Sequence, residues 1–247
     1  MKKDMKLQTT SFSLHLIAMF TMLCDHLWGT LIPGNEWLTC IGRIAFPIFA
    51  FLTVEGYFHT SNFKKYLMRM LVFAILSEIP FNLALGSRVF YPLHQNVLWS
   101  FLISLGLIHW NEKAKTSGKR WKQVLVAFVS ILLATIVGIV TMVDYYHAGI
   151  LMVLLFYWFR GNRWHHRIAQ FIGLLYINWE ILGGLVYEFT LHGNLITFPQ
   201  QGFAMLALLP IWLYKGEQGP YNRQIRFLYY GFYPLHLLIL GILKRIF

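Results

Sequence analysis

Cysteine is nearly absent from these 247 residues: only Cys24 and Cys40 occur, too few for a disulfide framework, and they read as small, inert, buried thiols. Charge is scarce as well. Charged residues make up 13% of the chain against 57% apolar and 17% aromatic, with a mean hydropathy of +0.54. That balance excludes a soluble globule that keeps its surface wet. Acidic residues are the rarer sign, 10 against 21 Lys and Arg, for a formal net charge of +11. The excess requires no nucleic acid, because basic cytoplasmic loops beside anionic lipid account for it. Internal repeats and low-complexity stretches are also missing, which weighs against the repeat-built architectures of many transporters.

What is present is a series of nine apolar stretches of helix length: Ser11–Ile32, Trp37–Tyr57, Tyr66–Leu85, Asn96–Trp110, Gln123–Val143, Ala148–Phe159, Ile168–Phe189, Gln201–Tyr214 and Phe227–Leu243. A crossing of about 30 Å of hydrocarbon takes about 20 apolar residues, so nine crossings fill the chain as one integral-membrane domain, 1–247. The first stretch is too long for a signal-peptide core and lacks a small-residue cleavage site, so it is expected to be retained. All nine are expected to be helical, since backbone groups in lipid must be satisfied within the segment. The fold class predicted is therefore all-α, a polytopic transmembrane bundle.

Connections between the stretches alternate in charge. Lys and Arg gather in the N-terminal tail (Lys2, Lys3, Lys6), at Lys64, Lys65 and Arg69, from Lys113 to Lys122, at Arg160, Arg163 and Arg167, and at Lys215, Arg223 and Arg226. By the positive-inside bias these lie in the cytoplasm with the N-terminus, and the connections near Pro33, Leu93, Asp144 and His192 lie outside. Lys244 and Arg245 run against that rule. The location expected is the bacterial plasma membrane, with multiple passes.

Ionisable residues inside such helices cost about 2.5–3.5 kcal/mol each at the bilayer centre, which makes them functional candidates. They are Asp25, His26, Arg43, Glu55, Glu78, Glu180, Glu188 and His236, with His94, Gln95, Asn96, Asp144 and His147 at outer helix ends. Alternating orientation places Asp25, His26, Arg43, Glu78, Asn96, Asp144 and His147 in the outer half and Glu55, His59 and Arg69 in the inner half. One polar cluster on each side of an apolar middle suits a protein that brings two ligands together across a membrane. Asp25 and His26 point about 100° apart on their helix and must find partners on other helices. Arg43 is equally a structural counter-ion for Asp25 or Glu78, and Asp144 and His147 are equally solvated loop residues. A metal held by His94, His147 and Asp144 has no recognisable ligand spacing behind it, and none is expected.

The run Gly42-Arg43-Ile44-Ala45-Phe46-Pro47-Ile48-Phe49-Ala50-Phe51, continuing through Glu55-Gly56, His59-Thr60, Tyr66 and Arg69, resembles the TraX family. So do Asp25-His26, Pro80-Phe81, Asn96-Val97 and the terminal Tyr233-Pro234-Leu235-His236-Leu237. Ser100 stands where that family has Thr, and Glu78 where Gln is common. The resemblance implies an integral-membrane acetyltransferase of the type that N-acetylates conjugative pilin from acetyl-CoA. The acceptor is then an exported peptide or an envelope glycan.

On that footing His26, Asp25, Arg43, Asn96 and His236 are expected to be catalytic. His26 comes first as general base and His236 second, with the other three orienting it or stabilising the oxyanion. Glu55, Glu78, His94, Asp144, His147 and Tyr233 are expected to bind substrate. His59, Lys64, Lys65, Arg69, Arg160 and Arg163 are expected at the acetyl-CoA site, whose phosphates need cations. The competing classes are a proton-coupled transporter, which would use the same buried charges as a path, and an assembly scaffold, which would not need them.

Overall fold

In a computed structural model, which describes residues 8–86, 88–191 and 193–246, the chain is mostly helical. Lys2, Lys3, Lys6 and His192 lie outside the described residues. The helices are α1 (Ser11–Thr30), α2 (Glu36–Gly42), α3 (Ala45–His59), α4 (Phe63–Ala84), α5 (Val97–Thr116), α6 (Arg120–Val140), α7 (Tyr146–Trp158), α8 (Trp164–Tyr176), α9 (Leu208–Trp212) and α10 (Arg223–Ile246). Among the described residues, four helical stretches are long and apolar enough to cross a membrane: Glu36–His59, Phe63–Ala84, Arg120–Val140 and Arg223–Ile246.

α7 sits at the centre. Ala148 to Tyr157 is buried almost throughout, with Ile150, Met152, Val153 and Leu154 fully enclosed, which is why this helix is apolar all round and can be short. α6 packs beside it so closely that a Cβ at Gly138 would lie 2.5 Å from the His147 Cα. The opposite face of α6 exposes Val124, Phe128, Ile136 and Val140, an apolar surface suited to lipid.

Four expected segments differ from the sequence reading. The second apolar stretch is broken at Arg43–Ile44, because Pro47 in the first turn of α3 lacks the N–H that would continue the ladder to residue 43. The fourth runs on to Thr116 rather than ending at Trp110.

The seventh was expected to be helical to Phe189, but α8 stops at Tyr176. A π turn over Ile177–Ile181 follows, and then Gly183 and Gly184 at φ of 54° and 90° end the helical path. Beyond them β1 (Val186–Leu191) pairs antiparallel with β2 (Asn194–Pro199), Val186 opposite Pro199, and this hairpin replaces helix because the segment is rich in β-branched and aromatic residues. Glu188 therefore lies exposed on a strand and Glu180 in the π turn, not inside a spanning helix. The eighth stretch begins as a 3-10 helix, Gln200–Ala207, before α9.

α1 and α10 rise side by side from the end of the bundle that carries Lys65 and Arg69. At that end Arg69 stands 5.8 Å from the Tyr230 ring; at the far end Lys244 Nζ donates to the Ala84 carbonyl at 3.0 Å. The second contact gives Lys244, one of the two basic residues that ran against the charge pattern, a partner at the end of α4.

Candidate functional site

Repeats of three and four residues decide which side chains of α1 and α10 meet. His15, Met19, Met22 and His26 recur at i, i+4, i+7 and i+11 and share one face of α1; Tyr229, Tyr233 and His236 share one face of α10. The two faces touch. The His15 and Tyr229 rings stack at 3.9 Å, and farther up the bundle His26 Nδ1 lies 2.7 Å from His236 Nε2, the rings within 10° of parallel. His236 Nδ1 donates to the Phe232 carbonyl at 2.6 Å, one helical turn back. Tyr233 is 8% exposed and stands beside both histidines, 6.4 Å from the His26 ring and 5.8 Å from that of His236.

Around this pair the outer polar residues converge. Arg43, at the α2–α3 break, donates through Nη2 to Asp25 Oδ1 and to Thr39 Oγ1, and Thr39 in turn donates to Asp25 at 2.7 Å. Asp25 thus pairs with Arg43 rather than with its neighbour His26. A Cβ at Gly42 would fall 2.3 Å from the Asp25 Cβ, so the approach of α2 to α1 depends on glycine there. Glu78 accepts from Trp99 Nε1 at 2.7 Å and from both the backbone and the side chain of Asn96. Asn96 is fully buried and caps α5 through its Oδ1 to the Leu98 N–H at 3.1 Å.

His94 Nε2 lies 3.4 Å from Asp144 Oδ1. Asp144 itself sits in a strained loop: Met142, Tyr145 and Tyr146 have φ of 49°, 61° and 45°. Gln95 pins that loop, its carbonyl accepting from the Asp144 N–H at 2.8 Å. His147 stands apart: its Nδ1 is buried without a hydrogen-bond partner among the described residues. No group of three or more His, Cys, Asp and Glu side chains among the described residues is placed to hold a metal ion.

A cavity of about 600 Å³ reaches toward this cluster from the basic end. Lys65, Arg69, Asn62 and His59 stand at its mouth, Tyr66, Tyr229 and Tyr230 along its wall, and Met22, Val97, Phe101, Phe232 and Tyr233 at its inner limit. Along α10 from Tyr229 to His236 the rise is about 10 Å. Neither His26 nor His236 lines the cavity; Tyr233 and Phe232, which do, stand against the pair, 6.4 Å from the His26 ring and 4.6 Å from that of His236. Arg69 lies 6.0 Å from the Tyr66 ring centre, and Gly56 leaves room for the Tyr66 hydroxyl, which a Cβ would approach to 2.8 Å.

The cations expected at a donor site divide. Lys65 and Arg69 line the cavity, whereas Lys64 and Arg163 are exposed and do not. Arg160 is engaged by Glu55, Nε to Oε1 at 2.6 Å and Nη2 to Oε2 at 3.2 Å, and its guanidinium covers Phe58 at 4.3 Å. Glu55 and His59 both face the cavity, His59 donating to the Glu55 carbonyl at 2.8 Å. His15, Thr39, Trp99, Tyr145 and Tyr229 were not singled out from the sequence. The signal for His15 and Tyr229 was available as the helical spacing to His26 and His236; Thr39, Trp99 and Tyr145 become visible only once the helices are packed.

No solved structure is similar to this chain. Over 73 residues, 28% of the chain, it is 34% identical to the probable fimbrial assembly protein FimC, serogroup H1, of Dichelobacter nodosus, and the match spans 30% of that relative. The family model described as TraX protein matches residues 11–244, nearly the whole length and every element described above. This chain belongs to the TraX family.

Proposed function

We propose that this chain is a multi-pass plasma-membrane acetyltransferase, moving an acetyl group from cytoplasmic acetyl-CoA to an amine or hydroxyl of an exported acceptor. The observation that carries the reading is the cavity with a cationic mouth and aromatic walls whose inner limit, Phe232 and Tyr233, lies against the His26–His236 pair. Lys65 and Arg69 suit the donor's phosphates, and the tyrosines suit its base and pantetheine arm. The paired charges Asp25–Arg43 fix the helix that carries His26, while Asp144 and His94 pair toward the other end. The acceptor is a pilin-type peptide or an envelope sugar, and the likeness to a fimbrial assembly protein favours the peptide. A transporter would need carboxylates free to take up and release protons; Asp25 and Glu55 are each bound to an arginine.

Purified protein in lipid nanodiscs should release free CoA thiol from acetyl-CoA when pilin-derived peptides, amines or hexosamines are supplied. Lys65→Ala/Arg69→Ala should raise the KM for acetyl-CoA at least about tenfold, since each charge-assisted contact is worth about 1.5–3 kcal/mol, and should leave the acceptor KM in place. Folded protein that neither binds acetyl-CoA nor releases thiol with any acceptor overturns the reading.

A further inference from the structure

With both rings neutral, hydrogen bonding around the two histidines has only one consistent direction. The Phe232 carbonyl can only accept, so His236 carries its proton on Nδ1. In neutral imidazole the other nitrogen is then an acceptor, and His236 Nε2 receives the hydrogen bond from His26, which must therefore hold its own proton on Nδ1. Among the described residues nothing bonds His26 Nε2. Both nitrogens of His236 are occupied and one nitrogen of His26 is a bare base.

We infer that His26 alone performs proton transfer, through Nε2, and that His236 is a positioning residue whose Nε2, fixed by the Phe232 carbonyl, holds His26 in its Nδ1-protonated tautomer. This deepens the proposed acetyl transfer and rests on it. As the acceptor nitrogen or oxygen bonds to the thioester carbon, its proton passes to His26 Nε2; the carbon–sulfur bond breaks with its electron pair on sulfur, and the same proton returns from His26 to the thiolate. His236 never meets substrate, because it has no free nitrogen to offer. The charged and titratable groups near His26 are Arg43 from the α2–α3 break, Asp144 from the α6–α7 loop and Tyr233 with His236 from α10, while Asp25, its neighbour in the chain, turns to Arg43. Asp25 is committed to Arg43 and Asp144 to His94, so neither replaces His236 as the partner of Nδ1.

The test is nitrogen NMR of full-length protein labelled with ¹⁵N-histidine, joined to thiol-release kinetics. The wild-type resonances that are lost in His26→Ala should be those of an imidazole with Nδ1 protonated and Nε2 bare. His236→Ala should mix the two tautomers of His26 and lower kcat by at least about 10–100-fold with the acetyl-CoA KM unchanged, the loss typical when a hydrogen-bond partner that orients a metal-ligating imidazole is removed. His236→Gln, whose amide oxygen can still accept, should restore the tautomer and most of kcat. A His26 found protonated on Nε2 in wild type, or unaltered shifts and turnover in His236→Ala, overturns the inference. The expected tautomer in a protein that binds acetyl-CoA but never releases thiol would instead remove the acetyl-transfer reading, and with it the base role of His26.

Discussion

Gly42 has no side chain, and the ion pair at the heart of the outer cluster exists because of that. With Asp25 pressed against the Gly42 backbone, Arg43 reaches its carboxylate across the α1–α2 contact. Gly42→Ala should force the helices apart at a cost of about 1–3 kcal/mol, and Arg43→Ala should cost about 3–5 kcal/mol by leaving Asp25 unpaired in a site shielded from water. Thermal unfolding in detergent checks both, and an Arg43→Ala melting temperature equal to wild type would show that the pair does not hold the helices.

His94, in the loop before α5, permits a pH test. The hydrogen bond to Asp144 raises its pKa above the usual histidine value. A raised folded pKa gives stability that is full below the unfolded value and fades as pH climbs through the folded one. The stability difference between wild type and His94→Gln should therefore be larger at acid than at alkaline pH. A difference that stays constant would mean the imidazole contributes in its neutral form. Of these contacts only the helical-face arithmetic of α1 and α10 could be read from the sequence. That His26 meets His236, 210 positions away, follows from packing that no local pattern encodes.

At the scale of elements, periodicity located most helices, because each carries a long apolar run, and it failed where glycine and proline interrupt that run. Gly183-Gly184 turned an expected helix into a β-hairpin, and Pro47 split another at the residue that now supplies Arg43. The loop before α7 shows the opposite case, strain that persists without glycine. Met142 is half exposed and left-handed at φ 49°, while its carbonyl holds the Gln95 N–H at 3.0 Å. Met142→Gly keeps that bond and removes the steric penalty of a left-handed L-residue, about 1 kcal/mol. The variant should melt higher than wild type. A lower melting temperature would show that the Met142 side chain packs more favourably than its backbone is strained.

For the whole molecule the open quantity is direction, because the cavity opens at one end of the bundle and the Asp144 loop and hairpin lie toward the other. The basic turn between α5 and α6 shares an end with Lys65 and Arg69: Phe63, at the start of α4, stacks on His109 near the end of α5 at 4.4 Å. Lys and Arg excess in short loops favours the cytoplasm, so the cavity mouth should open toward acetyl-CoA and the β1–β2 hairpin should face the cell exterior. Single cysteines at the exposed positions Ser117 and Asn194, in a Cys24→Ala/Cys40→Ser background, can be labelled with an impermeant thiol reagent in intact cells. Asn194→Cys should be labelled at once and Ser117→Cys only after the membrane is opened. The reverse pattern would turn the cavity mouth away from the cytoplasmic donor, and a transfer from acetyl-CoA entering at Lys65 and Arg69 would then be untenable.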